Sequence, residues 1–291
     1  IINSVKNFKI KSYCKINLSL KVIGKLKSGY HKISTLITFC DLHDIIYISK
    51  IKSSKDKISF SGQFKKGINN SFNTVTLLLN LLKKNNLIKK QSFKINIKKN
   101  IPHGSGLGGG SSNAASLLNY FCNHEKFKIT KNKKINLAKK IGFDVPISLE
   151  RKNTFLTGNQ NEILRFNKKF KLNLLIVYPN IFCSTKKIYK ANKKISLMKT
   201  HSFFNKQNNK KLISFLKNNS NDLEQVVVKM YPRIKKIIDI IKSQKGCLLS
   251  RITGSGSACV GIFSNKRKAI YAQKMIRTKY PKYWCVVSKT I

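Results

Sequence analysis

A chain of 291 residues that is 41% hydrophobic can build one large domain or two of ordinary size, which excludes a disordered basic tail. Lys and Arg number 59 against ten Asp and Glu, a formal net charge of +49. The six arginines are outnumbered by lysines scattered among Asn and Ile along the whole length, a pattern of AT-rich coding and not of a nucleic-acid-binding stripe.

Along the chain, KINLSLKVIG (15–24) alternates through its first eight residues. Ile16, Leu18, Leu20 and Val22 face one way and Lys15, Asn17, Ser19 and Lys21 the other, which predicts a half-buried strand. DIIYISKI (44–51) and FKINIKK (93–99) are further strand candidates. Helices are predicted over 74–84 (TVTLLLNLLKK) and 111–122 (SSNAASLLNYFC), the second with Ala114, Leu117, Leu118 and Phe121 at helical spacing. A third spans 131–141, with Thr130 as its N-cap and Gly142 just past its end. After TFLTGNQNEILRF (154–166), LNLLIVYP (172–179) reads as a buried strand, and a polar stretch, 190–221, follows. Residues 221–242 then look helical, with Asn221 and Glu224 spaced as a capping box and Pro232 expected to kink or break the run. RITGSGSACVGIF (251–263) and WCVVSKTI (284–291) supply closing strands. A boundary near 166–171 divides the chain into two α+β halves, 1–168 and 169–291.

No run of 18 apolar residues is present, so no membrane partner is expected. The opening IINSVKNFKIKSYCK has neither an apolar core nor a small-residue cleavage site, so no secretory signal is expected in it. Seven dispersed cysteines without a C-x-x-C point to packed thiols in a reducing compartment, the cytoplasm. The histidines show no metal-ligand spacing, and no metal ligands are assigned. The charge still implies general attraction to polyanions, without a specific nucleic-acid partner.

The densest signal is IPHGSGLGGGSSNAASLL (101–118), with five glycines and four serines between a strand and a helix. Bare backbone N–H groups leading into a helix N-terminus form a surface suited to phosphate. Ser111 and Ser112 stand where an N-cap belongs and can add hydroxyls. The G-x-x-x-x-G-K-[ST] loop is absent, and G-x-G-x-x-G, matched by Gly104, Gly106 and Gly109, is weak alone and lacks the setting of a dinucleotide fold.

Phosphoryl transfer to a hydroxyl calls for a carboxylate to take the proton, and the chain offers ten candidates. Asp144, in IGFDVPISL, follows a helix end and precedes a Pro; it suits either a catalytic base or a cap for the segment beginning at Val145–Pro146. Lys15 suits either a solvated strand face or a closed site in which it stabilises transferring phosphate charge.

Pro102, Gly106, Leu107, Gly108, Gly109, Gly110, Ser111, Ser112, Ala114 and Ala115 fill a pattern that resembles the ATP loop of the GHMP small-molecule kinases. KINLSLKVIGKLKSGYHKISTL (15–36), GFDVP (142–146) and RITGSGSACVGIF are similar to further segments of one branch of that family, in order and spacing from about residue 12 to 289. The resemblance implies a two-domain GHMP kinase fold of α+β class. Its N-terminal ATP domain would be ribosomal-protein-S5-domain-2-like, its C-terminal domain ferredoxin-like, with the active site in the cleft between them. It implies ATP with Mg²⁺ as cofactors and a small cytidyl diphosphate substrate, the 2-hydroxyl of 4-diphosphocytidyl-2-C-methylerythritol accepting phosphate in the non-mevalonate route to isoprenoids. Asp144 would be the base and Lys15 would orient the hydroxyl. Pro102, His103, Gly104, Ser105, Gly106, Leu107, Gly108, Gly109, Gly110, Ser111 and Ser112 would cradle ATP, with Lys99 a further nucleotide contact. Asn17 would help hold the substrate, and Tyr30, His31, Thr185 and Tyr189 would close around the cytosine. Phe143 departs from the family's small residue before the base, Cys14 from its Ala and Tyr189 from its Phe. A kinase of this fold acting on another small alcohol, or a non-catalytic polyanion-binding relative, are the alternatives.

Overall fold

The computed structural model describes residues 7–27, 29, 31–88, 91–125, 127, 129–158, 162–197 and 208–291. Tyr30 lies outside the described residues. The chain folds as two compact units, each assembled from several segments: residues 1–14, 42–103 and 108–150 in the first, and 15–41, 104–107 and 151–291 in the second. Contact density therefore groups the residues differently from a single division at 168/169. Two long strands, β1 (Phe8–Lys25) and β2 (His31–Ile51), contribute residues to both units.

In the first unit, β3 (Lys57–Ser61) runs parallel to β4 (Ser92–Lys98), which pairs antiparallel with residues 45–51 of β2. Phe93, Ile95 and Ile97 alternate onto the buried face of β4, as a period of two requires. They meet Val75, Leu78, Leu79 and Leu82 of α1 (Thr74–Lys84) and Leu117, Leu118 and Phe121 of α2 (Gly109–His124) in one apolar core. Asn73 caps α1 through bonds from Val75 N and Thr76 N. The third predicted helix forms as α3 (Lys131–Ile141), capped by Thr130 and ended at Gly142, and α4 (Val145–Ser148) follows at once.

In the second unit, residues 33–37 of β2 pair with β5 (Asn153–Gly158), which pairs in turn with β6 (Glu162–Phe166). A four-stranded antiparallel sheet has the order β10–β7–β9–β8, where β7 is Asn173–Tyr178, β8 Cys247–Ile252, β9 Cys259–Phe263 and β10 Trp284–Lys289. α5 (Thr185–Ala191) and α6 (Asn209–Asn218) fall within or beside the stretch read only as polar. The predicted break at Pro232 separates α7 (Glu224–Met230) from α8 (Pro232–Lys242), because a Pro there cannot donate to the preceding turn. The expected capping box does not form: Asn221 Oδ1 accepts from Leu223 N, and Glu224 accepts from Ile252 N instead of reaching back. α9 (Lys266–Lys279) buries Ala269, Ala272 and Ile276 in a core shared with α8 and the sheet; its spacing was not read from the sequence because lysines crowd its exposed face. All seven cysteines are free thiols, and burial raises Cys183, Cys247 and Cys285 to about 11. No described helix is long and apolar enough to cross a membrane.

Candidate active site

The glycine loop joins Ile101 to α2, and its glycines serve the helix as well as the turn. The helix begins at Gly109, two residues before the predicted start. Its N-cap is Gly108, in the left-handed region at φ 69°, and no side chain caps the first turn. Ser111 and Ser112 thus lie inside that turn, not at its cap. First-turn N–H groups have no intrahelical acceptor, and no residue of the turn itself is acidic, so the turn presents positive dipole ends. Gly106 is required by close approach: with φ 82°, a methyl here would lie 2.2 Å from the Thr253 carbonyl oxygen.

Within the first unit, the end of α4 is bonded to this turn and Gly142 lies near it. Ser112 Oγ donates to Ser148 Oγ at 3.3 Å, and a methyl on Gly142 would lie 4.0 Å from Ser111 Oγ. Asp144 occupies the N-cap position of α4, part-exposed, yet its side chain makes no capping hydrogen bond. Helix capping, the bland alternative for this residue, is therefore not its job. Ser148 N and Ser148 Oγ bond to its carbonyl oxygen, at 3.1 and 2.9 Å, and fix its backbone.

Lys99, expected as a further nucleotide contact, is enclosed within the first unit. It is 2% exposed, its ammonium is paired with Asp44, and it donates to Asn113 Oδ1 at 3.0 Å. It supports the loop from beneath. His103, by contrast, is exposed, with Nε2 3.1 Å from the Lys66 carbonyl oxygen.

Within the second unit, the polar face of β1 is not solvated. Lys15, Asn17 and Ser19 are each 4% exposed, so both faces of the strand are covered. Lys15 Nζ donates to Asn17 Oδ1 at 2.6 Å, and Lys15 N donates to the Leu107 carbonyl at 3.1 Å, tying the strand to the glycine loop. Asn17 is held in turn: Nδ2 donates to Thr35 Oγ1 and its backbone N–H to Thr253 Oγ1, both at 2.9 Å. The amide of Asn17 thereby orients Lys15. The late loop, Thr253–Ser257, packs on the same segment, with Ala258 N donating to the Ser105 carbonyl at 3.0 Å. Thr253 and this loop were quoted for their motif but given no role; their importance emerges only from packing on Gly106.

α5 carries Thr185 and Tyr189 one turn apart, on one face. The Tyr189 ring lies 5.2 Å from that of His31, tilted by 37°, and Thr185 Oγ1 is 2.8 Å from Ser255 Oγ. Burial first, and then Lys25, hold the His31 imidazole below its ordinary value. His31, Tyr189 and Thr185 thus come from β2 and α5 of one unit and form a flat-sided, partly polar patch.

Among the described residues no group of three His, Cys, Asp or Glu side chains is arranged to hold a metal.

Family models for the GHMP kinases match residues 73–151 (N-terminal domain) and 202–282 (C-terminal). A 4-diphosphocytidyl-2-C-methyl-D-erythritol kinase from Pelagibacter ubique is 40% identical over 99% of this chain and 100% of its own length. One from Wolbachia pipientis is 33% identical over 96% of this chain and 97% of its own. Among solved structures, a 4-(cytidine 5'-diphospho)-2C-methyl-D-erythritol kinase superposes with a TM-score of 0.74 at 21% identity, covering 97% of this chain and 99% of that one. A homoserine kinase from Cytophaga hutchinsonii reaches 0.70 at 15% identity, covering 100% and 96%, a likeness of fold alone. Glycine loop, buried strand lysine and matches along the full length agree: the chain belongs to the GHMP kinases and, within them, to the 4-diphosphocytidyl-2-C-methyl-D-erythritol kinase family.

Proposed function

We propose that this chain transfers the terminal phosphoryl group of ATP to the 2-hydroxyl of 4-diphosphocytidyl-2-C-methyl-D-erythritol, a cytoplasmic step in the non-mevalonate route to isoprenoid precursors. The hydroxyl oxygen forms the new bond to phosphorus, the bond from phosphorus to the bridging oxygen breaks, and ADP leaves with that electron pair. Asp144 takes the hydroxyl proton. Lys15, oriented by Asn17, steers the hydroxyl and balances charge that develops on the transferring group. Backbone N–H groups from Gly104 to Ser111 receive the phosphates, with Pro102 and His103 leading in; the Ser112 N–H is bonded to the Gly108 carbonyl. Of the two loop serines, Ser111 would help hold Mg²⁺ bound with ATP, since Ser112 is bonded to Ser148, and the ion would screen phosphate charge. Tyr189 and His31, together with Tyr30, take the cytosine, and Thr185 bonds its edge.

The observation that carries this reading is the glycine loop leading into the first turn of α2, which no side chain caps, in a chain that matches its relatives from end to end. ADP release should be measured with the cytidyl alcohol, homoserine and mevalonate in turn, and the phosphorylated position read by phosphorus NMR. Turnover confined to the cytidyl alcohol, with phosphate on the 2-hydroxyl, is expected. Preference for either other alcohol sinks the substrate assignment, and no ADP release with any of them sinks the kinase.

A further inference from the structure

A loop with five glycines loses more backbone freedom on ordering than an ordinary loop, and a cradle of N–H groups binds phosphate well only if it is already in place. Something must therefore hold the loop before the ligand arrives. The first unit contains a fully buried carboxylate at the right position. Asp44 Oδ1 accepts from Asn100 N at 2.8 Å and Ile101 N at 2.9 Å, the two peptide groups that lead into the loop. Asp44 Oδ2 accepts from the Lys99 ammonium and, at 3.1 Å, from Asn113 Nδ2. Asn113 belongs to α2, just past the loop, and is itself 2% exposed. Lys99 Nζ closes the triangle on Asn113 Oδ1, and a methyl on Gly109 would lie only 3.3 Å from it. One carboxylate thus grips the loop where it starts and, through Asn113, where it ends.

We propose that Asp44 is a positioning residue for the nucleotide: its carboxylate fixes both ends of the glycine loop and so sets the affinity for the ATP phosphates. This rests on the nucleotide reading of that loop. Asp44 touches no substrate; it acts through Lys99 and Asn113. Loosening it should weaken phosphate binding without disturbing the site for the alcohol, whereas a purely structural role would lower stability and leave both affinities alone.

Two variants test it. Asp44→Asn with Lys99→Met keeps the interior neutral and spares the acceptor for the backbone, but removes the carboxylate. Asn113→Leu leaves the ion pair and cuts only the tie to α2. For the full chain, binding of the ATP analogue AMP-PNP is measured by calorimetry, together with KM for ATP and for the cytidyl alcohol. A displaced cradle should weaken AMP-PNP and raise KM for ATP by about 10-fold or more, with KM for the alcohol within about 2-fold of the original. Either variant, folded and with AMP-PNP binding unchanged, overturns the role of Asp44. An unmodified chain that does not bind AMP-PNP overturns the nucleotide reading of the loop instead, so the two failures are told apart.

Discussion

Among the described residues Lys99 and Lys15 are driven out of solvent, and each donates to a different kind of side chain. Lys99, 2% exposed, sits against the carboxylate of Asp44, which is wholly buried and saturated by backbone N–H groups. Lys15, 4% exposed, donates to the amide oxygen of Asn17, which Thr35 and Thr253 hold in place. A carboxylate cancels an ammonium and turns it into a clamp between chain segments. An amide aims an ammonium, and under the proposed function Lys15 is aimed at the transferring phosphate. Burial alone does not tell the two roles apart; turnover and stability do.

The comparison breaks most visibly in turnover. Lys15→Met and Asp144→Ala should each lower kcat by roughly 10²–10⁴, the range of a lost general base or charge stabiliser, while AMP-PNP binding and thermal melting stay near the original. A Lys15→Met enzyme with normal kcat would put both lysines in the same structural class. Lys99→Met should fail differently. It strands Asp44 as an uncompensated buried charge, at a cost of about 3–5 kcal/mol in urea unfolding. Adding Asp44→Asn should return part of that loss, since the second change removes the stranded charge. Unfolding at an unchanged urea midpoint would mean that the pair is no clamp.

Next in size is the contact that ties Lys15's segment to the late loop. Gly106→Ala places a methyl 2.2 Å from the Thr253 carbonyl oxygen, at φ 82°, and should cost about 1–3 kcal/mol of stability together with a higher KM for ATP. A normal melting curve would show that the two loops can part freely. Tyr189→Leu removes one wall of the base site. Stacking of about 1–3 kcal/mol per base predicts a rise in KM for the cytidyl alcohol, with KM for ATP unmoved. If both constants move together, the ring serves the fold rather than the base.

How much of this was legible beforehand follows the same line. Local signals read well: Thr130 and Gly142 bounded α3, and the apolar spacing of 74–84 gave α1 without a residue's error. The glycine loop pointed to a phosphate cradle through its bare backbone, and α2 does begin within it, at Gly109. Long-range burial did not read. β1 alternates as if half exposed, yet Lys15 and Asn17 are covered, and no local pattern reveals what will pack on a strand. Asp44 looked like one of ten carboxylates, because its four donors come from residues 99–113, far along the chain. Ser111 and Ser112 were misplaced at the cap because serine is a common cap, whereas here Gly108 takes the left-handed turn. α9 escaped notice behind its lysines.

The smallest effect concerns the other wall of the base site. Burial, then the nearby positive charge of Lys25, lowers the His31 pKa below its ordinary 6.5. In the folded chain the imidazole therefore gives up its proton at lower pH than in the unfolded one. Between those two values the unfolded state binds more protons, so stability rises with pH and is fully present above about 6.5. It drains away as pH falls through 6.5 toward the folded value. His31→Gln should remove this slope, and comparing melting temperatures of the two proteins at about pH 7.5 and pH 5.5 isolates it. Glu224, which burial raises, contributes with the opposite sign, but equally to both proteins, and so cancels in the comparison. The original chain should lose more melting temperature on acidification than the Gln variant. Equal losses would show that the imidazole beside Tyr189 is solvated like any surface histidine, and the neutral, stackable ring assigned to the cytosine would have no basis.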